Sequence, residues 1–159
     1  MLKLYHGSDI LINQIDLCQG RINKDFGKGF YLTSIQSQAY EMAKRKARQT
    51  PDGVPVVTEF VFDEEFLTSG ELNVKVFSGV SEEWAKFILN NRHASRTGFH
   101  HDYDIVVGPV ADDGVVQQLD LYEMGIITLS QLVEALKYRR LNDQYFFGTE
   151  LSLTKLHRL

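Results

Sequence analysis

The chain has 159 residues, 43% of them hydrophobic, and 17 Lys and Arg against 21 Asp and Glu give a net charge of −4. That balance describes one folded domain, able to bury roughly two-thirds of the surface its unfolded chain exposes without metal or disulfide staples; it excludes extensive disorder and a whole-surface nucleic-acid footprint. The single Cys18 has no internal disulfide partner, no basic stretch leads into an apolar signal core, and apolar runs such as Ile105-Val106-Val107 fall far short of the ~20 residues that cross a bilayer, so a cytoplasmic protein with no membrane partner is expected.

In chain order, Leu2 to Tyr5 reads as a short strand, Asp9 to Cys18 as a connection and Gly20 to Lys24 as a loop. Phe26 to Leu32 is strand-like. Thr33-Ser34 then offers an N-cap to a helix from about Ile35 to Arg48, with Ala39, Met42, Ala43 and Ala47 at helical spacing, ended by Pro51, Gly53 and Pro55. Val56 to Phe62 alternates as a strand does, and Leu72 to Phe77 is a weaker one. Ser81 caps a helix with Glu82-Glu83 in its first turn and Trp84, Phe87 and Ile88 on one face, where Trp84 belongs to the core. Tyr103 to Val110, dense in β-branched residues and ended by Gly108-Pro109, is a buried strand. Thr128 to Tyr138 is an amphipathic helix with the stripe Leu129, Leu132, Val133 and Leu136. Gln144 to Phe147 and Leu151 to Leu156 complete the set as two strands. Strands and helices intersperse without βαβ regularity, which points to one α+β domain over residues 1–159 rather than a Rossmann sheet.

Several site types fail on spacing. Gly27-Lys28-Gly29 lacks the frame of a phosphate loop, Cys18 has no local base, and no Gly-x-Ser-x-Gly elbow is present. His100, His101, Asp102 and Asp104 are ligand types, but adjacent strand residues diverge and no second cluster has a zinc spacing, so no metal is assigned. Lys44, Arg45, Lys46 and Arg48 crowd one helix and Arg139-Arg140 closes another; such residues either meet phosphates or complement the negative end of a helix dipole. What remains is Tyr5-His6-Gly7-Ser8 near the start, the aromatic run Gly27 to Thr33, and a polar residue late in the chain. Such a set suits a substrate carrying its own leaving group, because positioning and electrostatics then carry the chemistry. NAD is such a substrate, since its nicotinamide departs as a neutral ring from an oxocarbenium-like ribose. Each residue alone also has a structural explanation: a strand-end histidine bonded to backbone, a core tyrosine, an edge-strand glutamine.

Those strings, with Asn142-Asp143-Gln144-Tyr145-Phe146-Phe147, resemble the catalytic domain of poly(ADP-ribose) polymerases and the wider ADP-ribosyltransferase superfamily, in particular short bacterial proteins with a His-Tyr-Gln site. The resemblance implies a split β-sandwich of two small mixed sheets flanked by helices. It also implies a site in which His6 bonds the adenosine-side ribose, Gly7 holds the nicotinamide amide through its backbone and Ser8 adds a polar contact. Tyr31 would stack on the nicotinamide ring and Gln144 would meet the nicotinamide-ribose 2′-hydroxyl; Gly29 and Phe30 flank Tyr31, and Arg21 and Asp25 would line the pocket or bind the diphosphate. The second stacking tyrosine of the polymerases falls at Met42, with Tyr40 the nearest aromatic, and Gln144 stands where they carry a glutamate, with Glu150 a rival carboxylate. Gln144 cannot ionise, which speaks against chain elongation and for transfer of a single ADP-ribose to a macromolecular acceptor, protein or nucleic acid. NAD glycohydrolysis and dinucleotide binding without turnover remain alternatives, and a tRNA 2′-phosphotransferase would need more basic residues near the pocket. Small transferases of this kind are often toxins, so the resemblance also implies an inhibitory antitoxin partner.

Overall fold

The computed structural model describes residues 1–159. Seven strands, β1 (Leu2–Ser8), β2 (Phe30–Thr33), β3 (Val56–Phe62), β4 (Val74–Val76), β5 (Ile105–Pro109), β6 (Asp143–Phe147) and β7 (Leu156–Arg158), form one mixed sheet in the order β4-β5-β6-β2-β1-β3-β7. Only β4 and β5 run parallel. The helices are α1 (Gln36–Ala47), α2 (Glu82–Arg92), α3 (Ala94–Thr97), α4 (Asp113–Glu123), α5 (Leu129–Leu136) and α6 (Glu150–Leu153). None is long and apolar enough to cross a membrane.

One hydrogen-bonded sheet thus replaces the two expected, but it is pinched in the middle. β1 pairs with β3 along its whole length, from Leu2↔Phe62 to Ser8↔Val56, whereas β1 and β2 share the single pair Tyr5↔Thr33. The two halves curl until their concave faces pack together: Leu4, Phe60, Phe62 and Leu156 from one meet Leu32, Ile105, Val107 and Phe147 from the other in one buried cluster. The Phe62 and Phe147 rings meet edge to face, with centroids 5.4 Å apart. Helix α1 covers the convex side of β1 and β3 with Ala39, Ala43 and Ala47. Its small side chains let the backbones close up at Gly7, where a Cβ would lie 1.9 Å from the Ala39 carbonyl oxygen. On the convex side of the other half, α2, α4 and α5 bury Trp84, Ile88, Val115, Leu119, Leu132 and Leu136 against Val106 and Phe146. Trp84 is wholly buried, and its indole N–H donates to the Pro109 carbonyl at 3.1 Å.

Three expected elements shift, and one helix stands where none was expected. The strand expected from Phe26 starts only at Phe30, because Tyr31 bonds back to Phe26 and Gly27 and holds that stretch as a turn, with Gly27 at φ 96°. Helix α1 begins after Ile35, which has no side-chain cap; Thr33 Oγ1 instead accepts the Ile35 N–H two residues on, as a short hydroxyl does outside a helix. Helix α4 matches no expected element: Asp112 caps it and Val115 and Leu119 share one face at helical spacing, but Gly114 in its first turn weakens the local propensity. The strand expected over Leu151 to Leu156 is the one-turn helix α6, set by a reciprocal cap between Thr149 and Ser152, and pairing resumes only at Leu156.

Candidate functional site

The pinch between β1 and β2 is where the candidate residues gather. His6 lies on the concave face beside Leu4, cross-strand from Thr58. Its ring stacks on Phe30 with centroids 4.4 Å apart, and Nδ1 lies 2.8 Å from the Tyr31 carbonyl oxygen. A carbonyl only accepts, so Nδ1 carries the proton and Nε2 presents a lone pair. Burial, reinforced by the Lys46 charge and only partly offset by the bond to Tyr31, pushes the imidazole down to about 4, so it is neutral at physiological pH.

Tyr31 turns its side chain to the opposite face of β2, because successive residues of a strand alternate. Cross-strand pairing puts Tyr31 beside Phe146 and Thr33 beside Gln144, so the phenol and the carboxamide share one face, two positions apart along β6. The Tyr31 hydroxyl donates to the Gly27 carbonyl at 2.6 Å and accepts the Phe26 N–H at 3.1 Å. Burial raises its pKa far above the ordinary phenol range, so it serves as a fixed post and not as a base. One edge of the ring meets Phe146 at a centroid distance of 5.3 Å, and the Lys24 ammonium sits 5.5 Å from its centroid.

The loop before β2 connects this face to Gln144. Phe26 is wholly buried; its N–H meets the Tyr31 hydroxyl, and its carbonyl accepts the His101 Nε2–H at 2.6 Å. His101 is thus a clamp on the loop, while its Nδ1 accepts the Tyr103 N–H. Asp25, held next to this anchored residue, receives the Gln144 Nε2–H at 3.4 Å and lies 3.5 Å from Arg92 at the end of α2. Burial raises the Asp25 pKa despite the opposing pull of Arg92 and Gln144. Gly29 allows β6 to approach: a Cβ there would fall 2.3 Å from the Phe146 ring.

His6, Phe30, Tyr31, Asp25 and Gln144 are therefore joined by short links, with Gly29 at their back. The other expected residues sit differently. Gly7 faces α1, so packing on the helix accounts for its lack of a side chain. Ser8 is buried and turns its hydroxyl to Asp9 at 3.2 Å. Tyr40 lines a separate shallow depression of about 430 Å³ with Gln36, Ser37, Pro55 and Val57. Arg21 is exposed, and Glu150 opens α6 beyond the opposite end of β6 from Gln144.

Lys24, Lys46, Arg92 and His101 are the participants that motif reading did not single out for this site. Lys46 is half-buried, and its pKa is lowered by burial and then by Lys24; Arg21 acts on it in the same direction, and Asp9 opposes them. Arg21, Lys24 and Lys46 form no ion pair, which leaves three cations without a direct partner near a neutral histidine, with Asp9 and Asp25 the acids that act on them at longer range. Lys46 was visible only as one member of a basic run; its inward position needed the helix phase set by Ala39, Ala43 and Ala47.

No curated protein and no solved structure matches this chain. A family model described as "Protein of unknown function (DUF3990)" matches residues 2–158, a span that takes in all seven strands and every residue of the site, and the chain belongs to that family.

Proposed function

We propose that this protein is a mono-ADP-ribosyltransferase that moves ADP-ribose from NAD to a macromolecular acceptor and releases nicotinamide. The observation that carries the reading is the junction at residues 25–31. The Tyr31 carbonyl takes the His6 imidazole, the Tyr31 phenol is fixed to Phe26 and Gly27, and Asp25 is bonded to Gln144. Three segments remote in sequence thereby meet across the centre of a curled sheet whose halves pack face to face, His6 on one face of β2 and Tyr31 with Gln144 on the other, an arrangement that suits the split sandwich of ADP-ribosyltransferases.

The chemistry of each group fits a part of NAD. His6 Nε2, an acceptor on a ring fixed by Phe30, suits a hydroxyl of the adenosine ribose. The unpaired charges of Lys24, Lys46 and Arg21 suit the diphosphate, and partial burial strengthens the attraction at Lys46. Over the Tyr31 ring, the Lys24 ammonium marks a place that favours a cation; the pyridinium of NAD is one, and stacking on tyrosine adds about 1 kcal/mol beyond area burial. Donation from Gln144 Nε2 to Asp25 fixes the carboxamide so that Oε1 accepts from the nicotinamide-ribose hydroxyl.

Purified protein given NAD labelled in its adenylate phosphate, together with a bacterial lysate, is expected to release nicotinamide and to transfer label to macromolecules. Nicotinamide without transferred label would identify a glycohydrolase, and binding without release a dinucleotide-binding module. Folded protein that neither binds NAD nor releases nicotinamide refutes the reading.

A further inference from the structure

We propose that Asp25 is the carboxylate of this site: it stands beside Gln144, faces the ribose as an ionised group and takes the proton of the incoming acceptor. The inference rests on the transferase reading above and adds to it the group that the glutamine lacks. A carboxamide orients a hydroxyl, but it neither ionises nor offsets the positive charge that grows on the ribose as nicotinamide leaves.

Geometry singles out Asp25 among the neighbouring acids. Its Oδ2 is 3.4 Å from Gln144 Nε2 and its Oδ1 is 3.5 Å from the Arg92 guanidinium. Both contacts are at the long end of their kind, and with the Ala111 backbone N–H as the third neighbour the carboxylate keeps lone-pair capacity for a substrate. Asp143 adjoins Gln144 in the chain, but strand alternation sends it to the other face. Glu150 lies past the far end of β6. Asp25 is also held unusually well for a loop residue, because the next residue is anchored three times: Phe26 fills the core, its N–H meets Tyr31 and its carbonyl meets His101. A side chain retained in a site that burial makes unfavourable for its charge is the pattern expected of a group kept for reactivity.

The step balances as follows. The C1′–N bond to nicotinamide breaks, and its electron pair leaves with the ring, which becomes neutral. An oxygen or nitrogen of the acceptor bonds C1′. The proton of that acceptor passes to a carboxylate oxygen of Asp25 and from there to solvent, with the Arg92 guanidinium 3.5 Å away favouring the ionised form against the opposing effect of burial.

Asp25→Asn preserves size and an acceptor for Gln144 while removing the charge. Nicotinamide release should fall about 100-fold or more, within the range of a lost general base, with the Kd for NAD changed less than about threefold and the melting temperature at neutral pH not lowered. Moving the carboxylate in the double variant Asp25→Asn, Gln144→Glu should restore at least about tenfold of the loss, which a purely structural Asp25 would not allow. Wild-type turnover should also decline as pH falls through the Asp25 titration, and that acid limb should vanish in Asp25→Asn. If wild-type protein turns NAD over and Asp25→Asn retains its rate and its acid limb, the role of Asp25 is overturned and the transferase reading stands. If wild-type protein neither binds nor cleaves NAD, both fall. If Asp25→Asn does not fold, Asp25→Glu and the wild-type pH profile decide, and a flat acid side overturns the proposal.

Discussion

Replacing His6 by Gln tests whether the imidazole is the neutral acceptor that the site requires. In the unfolded chain the ring titrates at 6.5, whereas in the folded protein burial and the Lys46 charge bring it to about 4. The sign follows from which state holds the proton. Above the unfolded value both states are neutral and the histidine adds no pH dependence. Between the two values the unfolded chain binds a proton that the native protein refuses, so stability falls by about 1.4 kcal/mol per pH unit, about 3 kcal/mol across the whole interval and about 2 kcal/mol by pH 5. Below about 4 the loss is complete. His6→Gln removes this titration and gives up the stacking on Phe30, at a pH-independent cost of about 1 kcal/mol. The wild-type advantage at pH 7.5 should therefore shrink and reverse by pH 5. Urea unfolding followed by fluorescence measures it directly, since the only tryptophan, Trp84, is wholly buried. The remaining histidines and carboxylates titrate alike in both proteins and cancel in the difference. A wild-type minus variant gap that stays constant within about 0.5 kcal/mol over this range would mean that the folded ring takes up its proton near the ordinary pKa, and the assignment of Nε2 as an acceptor would fail.

Gly7→Ala should cost about 3 kcal/mol in urea unfolding, because the new methyl meets a helix backbone carbonyl that cannot step aside; a cost under about 0.5 kcal/mol would show that α1 is less tightly seated. Tyr31→Phe should lower stability by about 1–2 kcal/mol, through the unpaired Gly27 carbonyl and Phe26 N–H, while the Kd for NAD shifts only a few-fold because the ring remains. Calorimetry that finds binding abolished, with the fold intact, would assign the hydroxyl to the ligand instead. Lys46→Gln and Lys24→Gln should each weaken NAD binding about threefold to tenfold at low salt and reduce its salt dependence; unchanged affinity at both salt concentrations would remove these cations from the site. Tyr40→Ala should leave NAD affinity within about twofold, since that ring lines another depression, and a loss like that of a stacking residue would contradict this.

What was legible in the chain tracks how local its cause is. The Ser81 and Thr128 caps, the run Ile105 to Gly108 and the alternation of Val56 to Phe62 are decided within a few residues, and the corresponding elements stand where the pattern put them. The turn at 26–29 carries a strand-like sequence, because its cause is a phenol four residues downstream bonding back to Gly27. The C-terminal Leu151-x-Leu153 alternation was overridden by the Thr149 cap. Within the candidate site, the His6 and Tyr31 strings were visible as motifs. The resemblance implied a shared pocket for Asp25 and Gln144, but their direct contact, across 119 residues of chain, depends on β2 pairing with β6. The glycines show the same limit. Gly7 and Gly29 invite the thought of a ligand approaching bare backbone, yet what approaches them is α1 in one case and Phe146 in the other.

The protonation states at the pinch narrow the chemistry it can support. His6 is held neutral with its proton turned into backbone, and the Tyr31 hydroxyl is spent on the loop and raised beyond reach of deprotonation. Neither is positioned to move protons at neutral pH. Gln144 has none to exchange. A site of this kind does little for a poor leaving group, which needs an acid, or for a reaction that begins with abstraction of a carbon-bound proton, which needs a strong base. It suits a substrate that is already charged and already activated, where fixed acceptors, a cation-favouring ring and positive charge for phosphates are the principal requirements. Of His6, Tyr31, Gln144 and Asp25, only Asp25 carries a carboxylate that can take up a proton without breaking the junction, and for that reason the variants at Asp25 test the chemistry while those at His6 and Tyr31 test the scaffold.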